Sequence, residues 1–308
     1  MKLKTYVWPA IGLAAVCFSG WLLYHELRYT SLDDVWESLT LIRPYQWALS
    51  ALSAVVAYFA LAGYDHIALL HLRRHVSWLF VTICSFTTYA LAHSIGGSVL
   101  SGAVVRYRAY GSRGLSAQEV GILVGICSLT FVVAVVFLTG LVLVIHPNLL
   151  ERFADLRGLP LSKSAGIVML LAVAAYVFGS WLQLRPLKIG KFELHYPALP
   201  IVARQLIIGP LEILAAAAII YFALPGVENP GYLTVLGVFL VSFSAALLSH
   251  APGGLGVLEV VFIAGLSDMD PASVMAALLV FRLFYLIIPL MLAILVVLGF
   301  ERSQLANG

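Results

Sequence analysis

Arg282, Glu259 and Glu212 are charged residues set inside long apolar stretches. An ionisable side chain near the middle of a bilayer is costly, so each asks for a partner or a wet cavity. Arg282, within Leu278-Leu279-Val280-Phe281-Arg282-Leu283-Phe284-Tyr285, lies about 15 Å into its segment at roughly 1.5 Å per residue. Glu212 is comparably deep in its own segment, and Glu259 stands five residues past Gly254. A guanidinium presents a planar fork of donors that suits phosphate. One reading is a polar cavity in which Arg282 binds an anionic group such as a lipid phosphate. Glu259 and Glu212 then balance its charge, or engage a cationic head group or a proton. The other reading is a permanent Arg282–Glu259 salt bridge that fixes the fold and transports nothing. Asp65 and His66 stand close to a segment end and read as interfacial.

A repeated phrase accompanies these charges. His93-Ser94-Ile95-Gly96-Gly97 returns 157 positions later (250 − 93) as His250-Ala251-Pro252-Gly253-Gly254. A glycine pair is a poor helix interior. In lipid, a helix break is tolerated only where the freed backbone groups are buried in protein or line a cavity. Matching breaks in two halves point to a midplane site in a repeat-built transporter. Pro252 beside Gly253 strengthens the break there. Gly96, Gly97, Gly253 and Gly254 have the alternative role of permitting close helix packing. His93 and His250 either titrate near neutral pH and bond a head group, or cap a broken helix as neutral imidazoles.

The elements that must position these residues are apolar helices. Hydrophobic residues make up 62% of the 308, and charged residues 11%, which excludes an ordinary soluble domain. Apolar segments at about 6–24, 46–70, 78–105, 119–145, 163–183, 199–224, 232–266 and 272–300 approach or exceed the roughly 20 residues that cross a bilayer. The first follows Lys2 and Lys4 and lacks a small-x-small cleavage site, so it is expected to remain as a span. Cys17, Cys84 and Cys127 sit in apolar sequence and read as packing residues, not disulfides or metal ligands. The stretch Ser31 to Tyr45, with Leu32, Val35, Trp36 and Leu39 at helical spacing, reads as an amphipathic surface helix.

The two glycine-paired segments decide the topology. If 78–105 and 232–266 each dip in and return to the same face, the Lys and Arg residues sort cleanly. Eleven of the 18 fall on the cytoplasmic side, and five (Arg28, Arg43, Arg152, Arg157 and Lys163) fall outside. Arg204 and Arg282 lie within segments. Positive loops stay inside during insertion, so this partition favours the hairpins, with both termini cytoplasmic. The first hairpin then opens from the cytoplasm and the second from outside. The expected fold is an all-α polytopic membrane protein of about six transmembrane helices plus two opposed re-entrant helical hairpins. It forms one domain over 1–308, an inverted repeat of about 6–145 and 163–300. Ser116 and Asp270 are the expected N-caps of the spans that follow the hairpins. Arg106 and Arg108, at the cytoplasmic mouth, either gather anionic lipid head groups or only enforce orientation.

Other function classes find little support. The net charge of +3 and the absence of a basic tract interleaved with aromatics argue against nucleic acid. No nucleotide loop, metal spacing or nucleophile elbow occurs, so neither enzyme activity nor a cofactor is expected.

The phrases assembled here resemble a known family. Ala92-His93-Ser94-Ile95-Gly96-Gly97, followed by Val104-Val105-Arg106-Tyr107-Arg108, looks like the first signature of bacterial YbhN-type inner-membrane proteins. His250-Ala251-Pro252-Gly253-Gly254-Leu255-Gly256-Val257-Leu258-Glu259 looks like the second, with Phe281-Arg282 to Pro289 completing it. These proteins are similar to the transmembrane flippase part of lysylphosphatidylglycerol synthase, the multiple peptide resistance factor family. The resemblance covers nearly the whole chain and implies movement of a phospholipid, or a related lipid such as a hopanoid, between leaflets. By the same resemblance Glu259 and Arg282 match the polar positions of the second signature, and Gly253 and Gly254 its turn. No aminoacyl-transfer domain accompanies the membrane segments, so synthesis of an aminoacylated lipid is not expected. The alternatives are a non-transporting scaffold that positions a lipid-modifying enzyme, and a proton- or ion-coupled transporter of small solutes.

Overall fold

The computed structural model describes residues 31–95, 98–153, 162–183, 187–189, 192–194, 197–226, 229–249 and 252–307. The expected first span at 6–24, and the positions Gly96, Gly97 and His250, lie outside the described residues. In chain order the helices begin with α1 (Leu32–Leu41), α2 (Pro44–His71), α3 (Trp78–Ile95) and α4 (Ser98–Gly111). They continue with α5 (Ala117–Ile145), α6 (Ser162–Trp181), α7 (Leu199–Ala223) and α8 (Tyr232–Ser249). The series closes with α9 (Val257–Gly265), α10 (Pro271–Arg282) and α11 (Ile288–Asn307), the last two joined by a π turn, Leu283–Ile287. Among the described residues the only strands are β1 (Leu187–Ile189) and β2 (Phe192–Leu194), a short antiparallel ribbon pairing Leu187 with Leu194.

Local chemistry sets the helix starts. Ser31 and Asp34 cap α1 reciprocally: the Asp34 amide donates to the Ser31 hydroxyl at 3.0 Å and the Ser31 amide to the Asp34 carboxylate at 2.7 Å. Ser116 and Glu119 repeat the device at α5. Asp270 accepts from the Ser273 amide at 3.0 Å at the start of α10. Both N-caps expected from the sequence are therefore in place. Proline occupies the first helical position of α2, where its missing N–H is no loss.

Among the described residues, five helical stretches are long and apolar enough to cross a membrane: Pro44–His71, Ala117–Ile145, Lys163–Trp181, Leu199–Ala223 and Pro271–Phe300. Their outward faces carry large apolar side chains, among them Leu52, Phe59, Val168, Ile207, Met291 and Leu295. In a bilayer such faces meet lipid, and the backbone polar groups are satisfied within each helix. The chain is an all-α polytopic membrane protein.

The antiparallel pair α2–α7 forms the centre. Gln46 donates to the carbonyls of Phe222 and Leu224 at 2.9 and 3.0 Å, Ser50 to that of Ile219 at 3.0 Å, and Tyr64 to that of Gly209 at 3.3 Å. These bonds lock the two helices along their length. Helices α5 and α6 approach so closely that a Cβ on Gly166 would stand 2.8 Å from the Gly140 carbonyl oxygen.

Two antiparallel helix pairs fill the remaining positions. In the first, Gly102 of α4 lies against Thr88 and Ala92 of α3, and the Arg113 guanidinium, just past α4, stands 4.4 Å above the Phe80 ring. Its open end sits beside the start of α5, where Arg74 and Glu119 form an ion pair at 2.7 Å. In the second, Gly254 lies against Ala246 and Gly265 against Val238, joining α8 to α9. Its open end sits beside the far end of α5. There Leu149 and Phe153 pack on Gly237 and Gly265, and Arg152 pairs with Asp268 at 2.8 Å. Each pair thus returns to the end from which it started, and the two open at opposite ends of α5.

Candidate functional site

The second pair turns through Pro252 to Gly256, and its geometry demands glycine. Gly253, Gly254 and Gly256 have φ of 60°, 65° and 79°, a region that L side chains resist. The turn delivers Glu259 into the first turn of α9, where the helix dipole favours negative charge. The Gly256 amide donates to one carboxylate oxygen, Oε2, at 2.9 Å. Arg282, at the end of α10, donates to the other, Oε1, from Nε at 2.7 Å and from Nη2 as well. Its Nη1 donates to the Gly253 carbonyl oxygen at 3.2 Å. Arginine, carboxylate and turn backbone therefore form one unit, with Glu259 and not Glu212 as the partner of Arg282.

A second arginine pair corrects the reading of Arg106. Expected at an open mouth, Arg106 is buried, and its guanidinium grips Asp65 through Nη2 at 2.6 Å and Nε at 3.2 Å. Tyr110, one turn further along α4, donates to the same carboxylate at 2.9 Å, and Cys127 approaches it at 3.4 Å. The Tyr89 ring lies 4.8 Å beneath the guanidinium. Asp65 is therefore fully buried, not interfacial. Arg108 is exposed. With Tyr107, Ser112, Ser116 and Phe300 it lines a groove of ≈ 530 Å³ where the first pair's open end meets α11.

Between the two arginine pairs stands Glu212, buried on α7. It accepts from the Tyr285 hydroxyl at 2.6 Å, with the Tyr64 hydroxyl at 3.5 Å. Tyr285 belongs to the π turn. Pro289 has no N–H to offer the Tyr285 carbonyl four residues earlier, and the Tyr58 hydroxyl donates to that carbonyl at 2.9 Å. His93, in the last turn of α3, stacks on the Tyr285 ring with 5.2 Å between centroids and 17° between planes. Its Nδ1 is buried and meets no hydrogen-bond partner among the described residues. Leu286, also in the π turn, lies beside Gly253. The π turn is thus where α3 and the turn of the second pair converge.

The structure brings Arg282, Glu259 and Gly253 together, links Glu212 to His93 through Tyr285, and sets Arg106 apart on Asp65. Sequence reasoning read Asp65 as interfacial, gave Tyr285 no role of its own, and passed over Tyr110, Tyr58 and Tyr64. The available signal was spacing: Arg106 and Tyr110 share one face of α4 and need an acceptor there.

Residues 10–293 match the family described as the Lysylphosphatidylglycerol synthase TM region. The chain belongs to this family. It is 30% identical to the inner membrane protein YbhN of Escherichia coli K12 over 292 residues, 92% of this chain and 88% of that protein. It is 28% identical to an uncharacterized protein of Synechocystis sp. over 304 residues, 98% of this chain and 94% of that protein. A phosphatidylglycerol lysyltransferase of Staphylococcus haemolyticus matches at 23% over 303 residues, 96% of this chain but only 34% of the enzyme. Membership ties the chain to a membrane region, and the match to that enzyme spans about a third of it.

Proposed function

We propose that the protein moves a lipid between leaflets of a bacterial inner membrane, as a flippase or scramblase. The substrate class is an anionic or modified phospholipid, or a related lipid such as a hopanoid. The observation that carries this reading is Arg282. Its guanidinium is held at the glycine turn by Glu259 and by main-chain oxygen, and its side chain remains 12% exposed. A lipid phosphate that displaces the carboxylate finds a planar fork of donors already oriented. Family membership and the name of the Staphylococcus relative support a lipid-related role. In this reading the two helix pairs are re-entrant hairpins opening from opposite leaflets, and the chain is a single inverted repeat with both termini cytoplasmic. Arg282, Glu259, Glu212 and His93 face the path, Arg108 gathers head groups at its mouth, and the chain itself performs no catalysis.

The test is a leaflet-specific assay in liposomes with labelled phospholipids of differing head groups. Wild-type protein accelerates flipping. Arg282→Lys keeps the charge but loses the fork, and slows flipping at least about tenfold, the worth of one charge-assisted hydrogen bond. No acceleration for any lipid class rules lipid transport out and leaves the small-solute reading and the scaffold reading, in the latter of which the Arg282–Glu259 pair is permanent.

A further inference from the structure

Three carboxyl groups are buried among the described residues: Asp65, Glu212 and Glu259. Two of them hold an arginine. Glu212 holds none, and its partners are the hydroxyls of Tyr285 and Tyr64. Tyrosine supplies hydrogen bonds without charge, and an uncompensated carboxylate away from water is relieved by taking up a proton.

Among the described residues, no lysine or arginine is placed against Glu212 to replace that proton. From α2 the titratable groups facing it are Tyr58 and Tyr64, and from the π turn Tyr285. Helix α3 brings Tyr89 against Tyr64 and His93 against Tyr285. Helix α5 brings Cys127, which lies on Asp65, itself held by Arg106. Helix α8 brings Tyr232, whose hydroxyl donates to the Leu214 carbonyl at 2.7 Å. The Tyr285 ring that bonds Glu212 is also the ring on which His93 stacks, one residue before the Leu286 that touches Gly253. A change at Glu212 therefore reaches both hairpins through one side chain.

We propose that Glu212 is a proton-binding site whose loading is coupled to movement where His93 of α3 and the Pro252–Gly256 turn meet the π turn. The carboxylate takes a proton from hydronium in the adjoining aqueous phase: an O–H bond of the hydronium breaks and leaves water, an O–H bond forms on the carboxyl group, and the charge of the site goes from −1 to 0. Tyr285 keeps its own proton throughout. In the loaded state the bond from Tyr285 loses its charge assistance and weakens, which loosens the ring from its seat between the hairpins. The coupling to lipid rests on the transport reading above, whereas the proton site does not.

Infrared difference spectroscopy tests the site directly, using the whole protein in phosphatidylglycerol and phosphatidylethanolamine vesicles stepped from about pH 9 to about pH 5. Wild type gains a protonated-carboxyl C=O band that is lost in Glu212→Gln and retained in Glu119→Gln. Tyr285→Phe retains Glu212 and shifts the band by removing its donor, which covers the case of Glu212→Gln failing to fold. A wild-type spectrum without the band, or a band unmoved by both variants, overturns the proposal. In the same vesicles a pH gradient changes the flipping rate, and Glu212→Gln loses that dependence. Flipping indifferent to the gradient overturns the coupling. The band without movement of any lipid upholds the proton site and sinks the transport reading instead.

Discussion

Arg106 meets Asp65 through side chains alone, across two helices that stay regular at the contact. Arg282 meets Glu259 and, in addition, the main chain of the turn that precedes it. The first pair is 5% and 0% exposed, backed by Tyr110, Tyr89 and Cys127. The second is 12% and 6% exposed and borders a turn of three left-handed glycines. A pair closed on every side by side chains is a rivet between α2 and α4. A pair that shares its donors with a loop carbonyl changes whenever the loop does. The two halves of the molecule thus use the same chemistry for opposite ends, one to fasten and one to register shape.

The largest effect expected from breaking this contrast is at Asp65. Asp65→Ala strands Arg106 in the interior, and removing one partner of a buried pair costs about 3–5 kcal/mol. Thermal unfolding of the purified protein checks this, and the double change Asp65→Asn with Arg106→Gln recovers part of the loss. Equal stability of Asp65→Ala and wild type would show that the pair is not a rivet. A smaller effect is expected at the turn. Gly254→Ala forces a positive φ on a residue with a Cβ, only 3.1 Å from that of Ala246, at a cost of about 1–2 kcal/mol. Flipping should fall further than stability does, because the Arg282 contact depends on the turn's shape. A matched fall in both would erase the distinction. The smallest effect calibrates the others. Arg74 is exposed and Glu119 half-buried at the helix start, so Arg74→Ala costs about 0–1 kcal/mol and leaves flipping unchanged.

Much of this architecture was legible in the residues. The segments at 46–70, 119–145, 163–183, 199–224 and 272–300 correspond to the five membrane-length helical stretches, because an apolar run of that length has few alternatives. Ser116 and Asp270 cap as their residue types require. Arg282 was found by its depth, and its bond to Glu259 had been the static alternative. Asp65 was misjudged because depth along a helix was read as depth in the protein. It lies six residues before the end of α2, yet α4 folds back over it. The π turn was invisible to periodicity, since it depends on Tyr58 reaching a carbonyl that Pro289 leaves open, a contact 227 residues apart in sequence. The amphipathic stretch at 31–45 became α1 and a break before Pro44, since proline disfavours a helical residue ahead of it.

The bond from Arg282 to the Gly253 carbonyl has a further consequence. Its acceptor is an atom that every amino acid carries, so no substitution at position 253 can delete it; a substitution can only turn it away. A substitution at this position therefore acts on the bond first through backbone angle. A residue that reproduces the φ of 60° keeps the contact only if its side chain clears Leu286 and the Arg282 guanidinium, which a Cβ would meet at 3.6 and 3.7 Å. One that cannot reproduce that angle loses the contact even if it is almost as small as glycine.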